Sequence, residues 1–333
     1  MTTFAGGLTP TGPAHAAGPA ACTWTPELLP VPAGVLAGHV DATDHDGGYA
    51  GSISYGAGSV QGAHAVLWKN GKMTDYGNLS SPEYQNEVSV YDVNKAGTVV
   101  GAAHKESDGT PSAVHSRNGR IERLPELPNT IASMANGIND SGDIVGGVET
   151  ESRWFAVRWP AARPGVVEVL TGLPDTPADA SGIDEDGTVL VSVEKAGWDV
   201  PYLWKAGKAR ALPLPAGGYD VINRGISNGR VIGQVTTDDA FSGYVWDRDG
   251  QPRAVPRGED VLGINRDGRI VGRTDDESWR EFGVWRVTTL ESTLSYTATR
   301  GIDPRVSSDD GTIAGDSWAF NGGPYEATVW RCR

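Results

Sequence analysis

Gly225-Ile226-Ser227-Asn228-Gly229 has the Gly-x-Ser-x-Gly spacing that presents a nucleophilic serine on a sharp turn. Acyl transfer at such a serine needs a strand-to-helix elbow, with an acid and a histidine later in the chain. No histidine follows His115, so a hydrolase is not expected. Asp44-His45-Asp46-Gly47 and Asp184-Glu185-Asp186-Gly187 carry part of the spacing of a calcium loop. That loop would need another acid two residues earlier, where Ala42 and Gly182 stand, and a distal glutamate. Capping of a turn by aspartate accounts for the same carboxylates. His39, His45, His64, His104 and His115 show no zinc-type spacing among themselves or with cysteine. Neither a metal nor a cofactor is expected.

The aromatic residues carry a different chemistry. Seven of the 11 tryptophans recur at a regular interval; Trp154, Trp198, Trp279 and Trp318 do not. Each of these four lies five to twelve residues before a regular one, and Phe241 takes the equivalent place elsewhere. Acids accompany them: Glu149, Glu151, Glu194, Asp238, Asp239, Asp275, Asp276, Glu277 and Asp316. Exposed indoles beside carboxylates stack on sugar rings and hydrogen-bond their hydroxyls, or anchor a protein partner. The candidate ligand-binding set is Trp154, Trp198, Phe241, Trp279, Trp318, Asp276 and Asp316. The competing expectation is that these rings open strands and pack inside the fold.

The elements that must position them follow from a repeat. Gly137-Ile138-Asn139-Asp140-Ser141-Gly142-Asp143-Ile144-Val145-Gly146 places a polar turn between two short apolar runs, which predicts two β-strands joined tightly. Seven copies have their turn glycines at Gly47, Gly97, Gly142, Gly187, Gly229, Gly268 and Gly311, with gaps of 50, 45, 45, 42, 39 and 43 residues. A tryptophan follows each kernel (Trp68, Trp159, Trp204, Trp246, Trp285, Trp330) except the second, where Ser116 stands. This period, with four strands to a unit, predicts a seven-bladed β-propeller of four-stranded antiparallel blades. Strand A enters the kernel turn, B leaves it, C ends at the tryptophan and D follows a short turn such as Asn70-Gly71. With A innermost, the B–C and D–A connections share one face. Variable loops on a rigid scaffold are the usual place for binding.

Leu29-Pro30-Val31-Pro32-Ala33-Gly34 superposes on Leu212-Pro213-Leu214-Pro215-Ala216-Gly217, which places residues 26–32 in a D strand. The last unit stops after strand C, so an N-terminal strand should complete it and close the ring. In that register Cys22 aligns with Lys205 and Cys332 with Ala206, adjacent positions at a C–D turn, and a Cys22–Cys332 disulfide is expected. An oxidising compartment, hence secretion, goes with it. Residues 1–22 form a disordered leading segment and residues 23–333 the propeller. Ala14-His15-Ala16 matches a small-residue cleavage site, but a basic start and apolar core are missing. The segment is expected to be the tail of a signal peptide, the alternatives being a linker or a cloning remnant.

The Gly-Ile-Asn-x-x-Gly-x-Ile-Val-Gly kernel, followed by an apolar strand ending in tryptophan, resembles the HAF repeat of bacterial secreted proteins over about residues 23–333. Copy one has Asp44 for the asparagine, copy four Val191 for the final glycine, and copy five is one residue short. The resemblance implies an extracellular β-propeller and no particular activity.

A formal charge of −14 argues against nucleic acid. No run of 18 apolar residues exists, so no membrane-spanning helix is expected. The expected protein is a monomeric, secreted, non-catalytic binding module whose partner is a glycan or an extracellular protein. The alternatives are a structural surface protein and a propeller enzyme of lyase or glycosidase type. An enzyme would need acids in the axial channel, for which Asp92, Asp220 and Asp260 are the candidates.

Overall fold

The computed structural model describes residues 22–56, 62–79, 83, 87–238 and 240–333. Of the leading segment, only Cys22 falls among them. Twenty-eight strands form seven four-stranded antiparallel sheets, and no helix occurs among the described residues. The chain is a seven-bladed β-propeller. Its innermost strands are Ala37–Thr43, Glu87–Val93, Thr130–Ile138, Ala178–Ile183, Asp220–Ser227, Gly258–Ile264 and Arg300–Ser307.

Two kernel asparagines, Asn94 and Asn265, join their turn to the next as well as closing their own. Asn139 Oδ1 accepts the Asp143 N–H at 3.0 Å, while Asn94 Nδ2 reaches across one blade to donate to the Asn139 carbonyl at 3.1 Å. Asn265 Nδ2 donates to Ser308 O, and Asn228, one residue past the capping position in the shortened fifth copy, donates through Nδ2 to Arg266 O, each at 3.0 Å. Aspartate cannot donate in this way. Asp44 instead caps its own turn through the Asp46 and Gly48 N–H groups and pairs with Lys69 at 2.7 Å.

The regular tryptophans work on the same principle. Trp68, Trp159, Trp204, Trp246 and Trp285 are at most 6% exposed, and each donates its indole N–H to a backbone carbonyl in the link entering its blade. The acceptor is a proline carbonyl in four of the five: Pro30, Pro125, Pro213 and Pro256. Proline lacks a donor, which suits an outer strand end, and its carbonyl remains free to anchor the tryptophan. In blade two Ser116 accepts the Val99 N–H at 2.9 Å.

Closure follows the expected plan with a shifted boundary. The N-terminal strand is Trp24–Leu28, pairing with Glu326–Cys332 as the outer strand of blade seven. Residues 29–32 have already left the sheet, where Pro30 supplies the Trp68 acceptor. Cys22 is bonded to Cys332 with a Cα–Cα distance of 5.4 Å.

Every innermost strand carries a bulge at the same place. The pairing register skips one residue between Val40 and Ala42, Val90 and Asp92, Ala135 and Gly137, Ala180 and Gly182, Asn223 and Gly225, Val261 and Gly263, and Pro304 and Val306. The kernel's final glycine sits opposite it, except in blade four, where Val191 does. A β-carbon at Gly146 would run into the Met134 carbonyl oxygen, and Gly51, Gly101, Gly272 and Gly315 are placed alike. A bulge re-aims the extra side chain. Here the seven extra residues are Asp41, Tyr91, Asn136, Ser181, Arg224, Leu262 and Arg305, all lining the axial channel.

Candidate functional site

The channel encloses about 1110 Å³ and its wall is electrically lopsided. From blade five round to blade one, guanidinium groups and carboxylates alternate. Arg224 grips Asp260 through two bonds of 3.1 and 2.7 Å. Arg273 pairs with Asp303 at 2.8 Å; Arg305 then bridges Asp303, Asp41 and Asp316 at 3.0, 2.8 and 3.3 Å. Asp316 also accepts the Val40 N–H at 3.1 Å and holds His39 Nδ1 at 2.8 Å. That hydrogen bond to Asp316 raises the His39 pKa, against the opposing effect of burial.

Among the described residues, the opposite wall lacks such pairs of guanidinium and carboxylate. Asp92 accepts the Val93 and Ile138 N–H groups, both at 2.8 Å, and Asp179, outside the lining, accepts from Nδ2 of the lining residue Asn136 at 2.9 Å. Loss of water pushes both carboxyls up to about 7, and the same cause takes Asp41 to about 6 despite Arg305. Burial also raises Asp260 against the pull of Arg224. Of the three acids singled out in the sequence, Asp92 and Asp260 line the channel; Asp220 instead accepts the Asp199 N–H at 2.9 Å away from the lining.

Asp179 gives a pH prediction. A carboxyl whose folded pKa is raised stabilises the fold below its unfolded pKa, and that contribution is lost as pH rises through the folded value. Between about pH 4 and 7 the native protein should therefore lose stability through this group. Asp179→Asn keeps an acceptor for Asn136 and does not ionise. The variant should match the parent near pH 4 and exceed it at pH 8 by on the order of 1–3 kcal/mol in guanidinium denaturation. Equal differences at both pH values would overturn this.

The remaining sequence candidates divide. Trp198, Phe241 and Trp279 are 47, 55 and 57% exposed. They occupy the B–C end of blades four, five and six, with Trp198 edge-on to Tyr219 at 4.7 Å. Trp154 is half-buried, and its indole occupies the space a side chain on Gly147 would need. Trp318 is half-buried between Tyr296 and Tyr325, at 5.6 and 5.3 Å. Only Trp279 belongs to a B–C loop proper, since Trp154, Trp198 and Phe241 open C strands and Trp318 lies within a B strand. The loop carboxylate Asp276 is held by Ser278 and by the Arg280 N–H, and the Ser278 bond lowers its pKa. Asp316 is fully buried and serves the His39–Arg305 network instead of the rim, a correction to its grouping with the exposed acids. Asp239 lies outside the described residues.

The other motifs resolve into turns. Ser227 and Arg230 close a hairpin around Asn228-Gly229, so the Gly-x-Ser-x-Gly stretch joins strand to strand. Asp184 accepts the N–H groups of Glu185, Asn228 and Gly229, linking two blades. The dyad of His39 with Asp316 escaped the sequence because its members stand 277 residues apart and meet only when the ring closes. The available signal for the channel ring was positional: each bulged residue stands three before the kernel's turn-capping residue, or before Ser227 in the shortened fifth copy.

No family model matches the sequence, and no curated protein matches it. Among solved structures, the β-propeller domain of the Trilobed protease from Pyrococcus furiosus, described as having an open velcro topology, is similar at 11% identity and a TM-score of 0.61. That likeness covers 90% of this chain and 95% of that one. A prolyl endopeptidase structure aligns at 10% identity and a TM-score of 0.59 over 89% of this chain and 50% of its own. TolB from Acinetobacter baumannii aligns at 11% and 0.51 over 87% and 65%. This chain thus spans half to about two thirds of the length of those last two. At such identities the likeness establishes the propeller fold alone.

Proposed function

We propose that this protein is a secreted, monomeric, non-catalytic binding propeller of the HAF-repeat type, which engages a glycan or an extracellular protein through its B–C face. The observation that carries the reading is the exposure of Trp198, Phe241 and Trp279 at the same end of three consecutive blades. Large aromatic surfaces left in water on a rigid scaffold supply the stacking and anchoring contacts of a binding face. The Cys22–Cys332 disulfide supports an oxidising location.

The raised pKa values of Asp41 and Asp92 in the channel wall, and of Asp179 bonded to the lining residue Asn136, favour a second reading, an enzyme working in the channel. Structure-keeping explains two of them better. Asp92 bonds the backbone of the next blade and Asp179 is tied to Asn136, so both act as clips between blades.

Glycan-array binding tests the first reading, with a variant combining Trp198→Ala, Phe241→Ala and Trp279→Ala as control. Binding by the parent and its loss in a folded variant is the expected result. If the parent binds no glycan and captures no extracellular protein in a pull-down, the binding reading fails.

A further inference from the structure

Among the described residues, the longest continuous run of aromatic rings on this face lies where blades six, seven and one meet, and one of its members, His39, lines the channel. Tyr296 leaves the last strand of blade six; Trp318, Phe320 and Tyr325 belong to blade seven; His39 stands on the innermost strand of blade one. Their ring centroids follow one another at 5.1 Å (His39–Tyr325), 5.3 Å (Tyr325–Trp318), 5.6 Å (Trp318–Tyr296) and 5.9 Å (Tyr296–Phe320). Phe320 and Tyr325 leave 48 and 47% of their surface in solvent.

We propose that this cluster is a subsite for one neutral sugar ring, which stacks on Tyr325 and Phe320 and hydrogen-bonds His39. The proposal rests on the reading of this face as a binding face. Three features support it. The platform is rigid: a β-carbon on Gly301 would run into the Trp318 indole, the Tyr325 carbonyl accepts the Gly38 N–H at 2.9 Å, and the Phe320 N–H donates to Thr299 O at 3.0 Å. Pre-set rings lose little entropy when a ligand settles on them.

The second feature is a polar group aimed by its partner. Asp316, fully buried, holds Nδ1 of His39, while Val40 N–H and Arg305 hold Asp316. The imidazole is thereby oriented, and no partner of its Nε2 occurs among the described residues. An oriented donor or acceptor beside an aromatic face suits a ring with an apolar C–H surface and hydroxyls at its edge. The third feature is charge. Arg305 is matched by Asp41, Asp303 and Asp316 and Arg300 by Glu326, which leaves Arg280, next to Tyr296, as a guanidinium with no ion pair among the described residues; the chain as a whole carries −14, so an anionic sugar meets a repelling field.

The test uses immobilised cello-, manno-, galacto- and chito-oligosaccharides beside sialylated and sulfated glycans. The parent is compared with Tyr325→Ala, Phe320→Ala, Tyr325→Phe and the triple variant of blades four to six, with thermal unfolding confirming that each is folded. A neutral oligosaccharide should bind the parent, and Tyr325→Ala or Phe320→Ala should weaken it about tenfold or more while Tyr325→Phe keeps most of the affinity. Trp318 fluorescence should respond to the bound sugar and cease to respond in Tyr325→Ala. Binding lost only in the blade four-to-six variant would overturn this subsite and leave the binding face standing. Binding confined to anionic glycans would overturn the proposed ligand class. Absence of any glycan binding would remove the subsite, and the broader reading would then rest on a protein partner.

Discussion

Trp159→Ala is expected to destabilise the propeller by about 3–5 kcal/mol in chemical denaturation. Trp159 is 4% exposed and belongs to a cluster that crosses a blade boundary, with Val100, Ala113 and Leu124 of blade two and Ile138, Ile144 and Val157 of its own blade. Truncation removes the largest side chain in that cluster and leaves a cavity that strands pinned on both sides cannot collapse to fill. It also deprives the Pro125 carbonyl of its 2.7 Å indole donor. The cavity should dominate, because a net hydrogen bond contributes only about 1 kcal/mol. Trp198→Ala is the contrast: that ring is 47% exposed and its removal opens no cavity, so a change of about 0.5 kcal/mol is expected. A loss below ~1 kcal/mol for Trp159→Ala would show that the interface between blades does not depend on it.

The same contrast explains what was legible in the sequence. Trp159 and its counterparts are local signals, because each follows its kernel and serves the same socket in successive blades. Repetition makes such signals readable, and the fold, blade count and closure follow from them. Trp154 and Trp318 illustrate the limit. Their spacing resembles that of Trp198 and Trp279, yet their burial depends on space left open by Gly147 and Gly301, glycines outside the repeat's turn positions. Asp316 shows the same limit for charge. Its composition-level neighbours are loop acids, but it lies on a strand paired to Asp303 and is enclosed by His39 and Arg305 from elsewhere in the ring. The channel ring stands between these cases. Its bulge recurs in every blade and leaves a trace in the kernel's final glycine, but the seven bulged residues differ in kind, so composition does not reveal them.

Replacing both Cys22 and Cys332 with serine should lower stability by about 2–5 kcal/mol, the range seen when native disulfides are removed. The bridge closes a loop of sequence separation 310, for which the chain-entropy relation gives roughly 5–6 kcal/mol at most. The covalent link is not the only force at the seam. Trp24–Leu28 pairs along five residues with the last strand, the Thr23 and Arg333 backbones exchange hydrogen bonds, and Trp24 donates to Ser292 Oγ at 3.0 Å in blade six. Arg331 and Glu27 add an exposed ion pair at 3.1 Å, which contributes little. These contacts involve the first strand of the ring, and without the bridge no covalent link holds it to the last strand against the entropy cost of ordering it, so it frays. Fraying opens the hydrogen-bonding edge of Glu326–Cys332 and weakens the packing of Trp330, so local opening at one seam becomes opening of the ring. Guanidinium denaturation of the double variant should coincide with that of the reduced parent. If both instead match the oxidised parent to within about 1 kcal/mol, strand pairing alone closes the propeller.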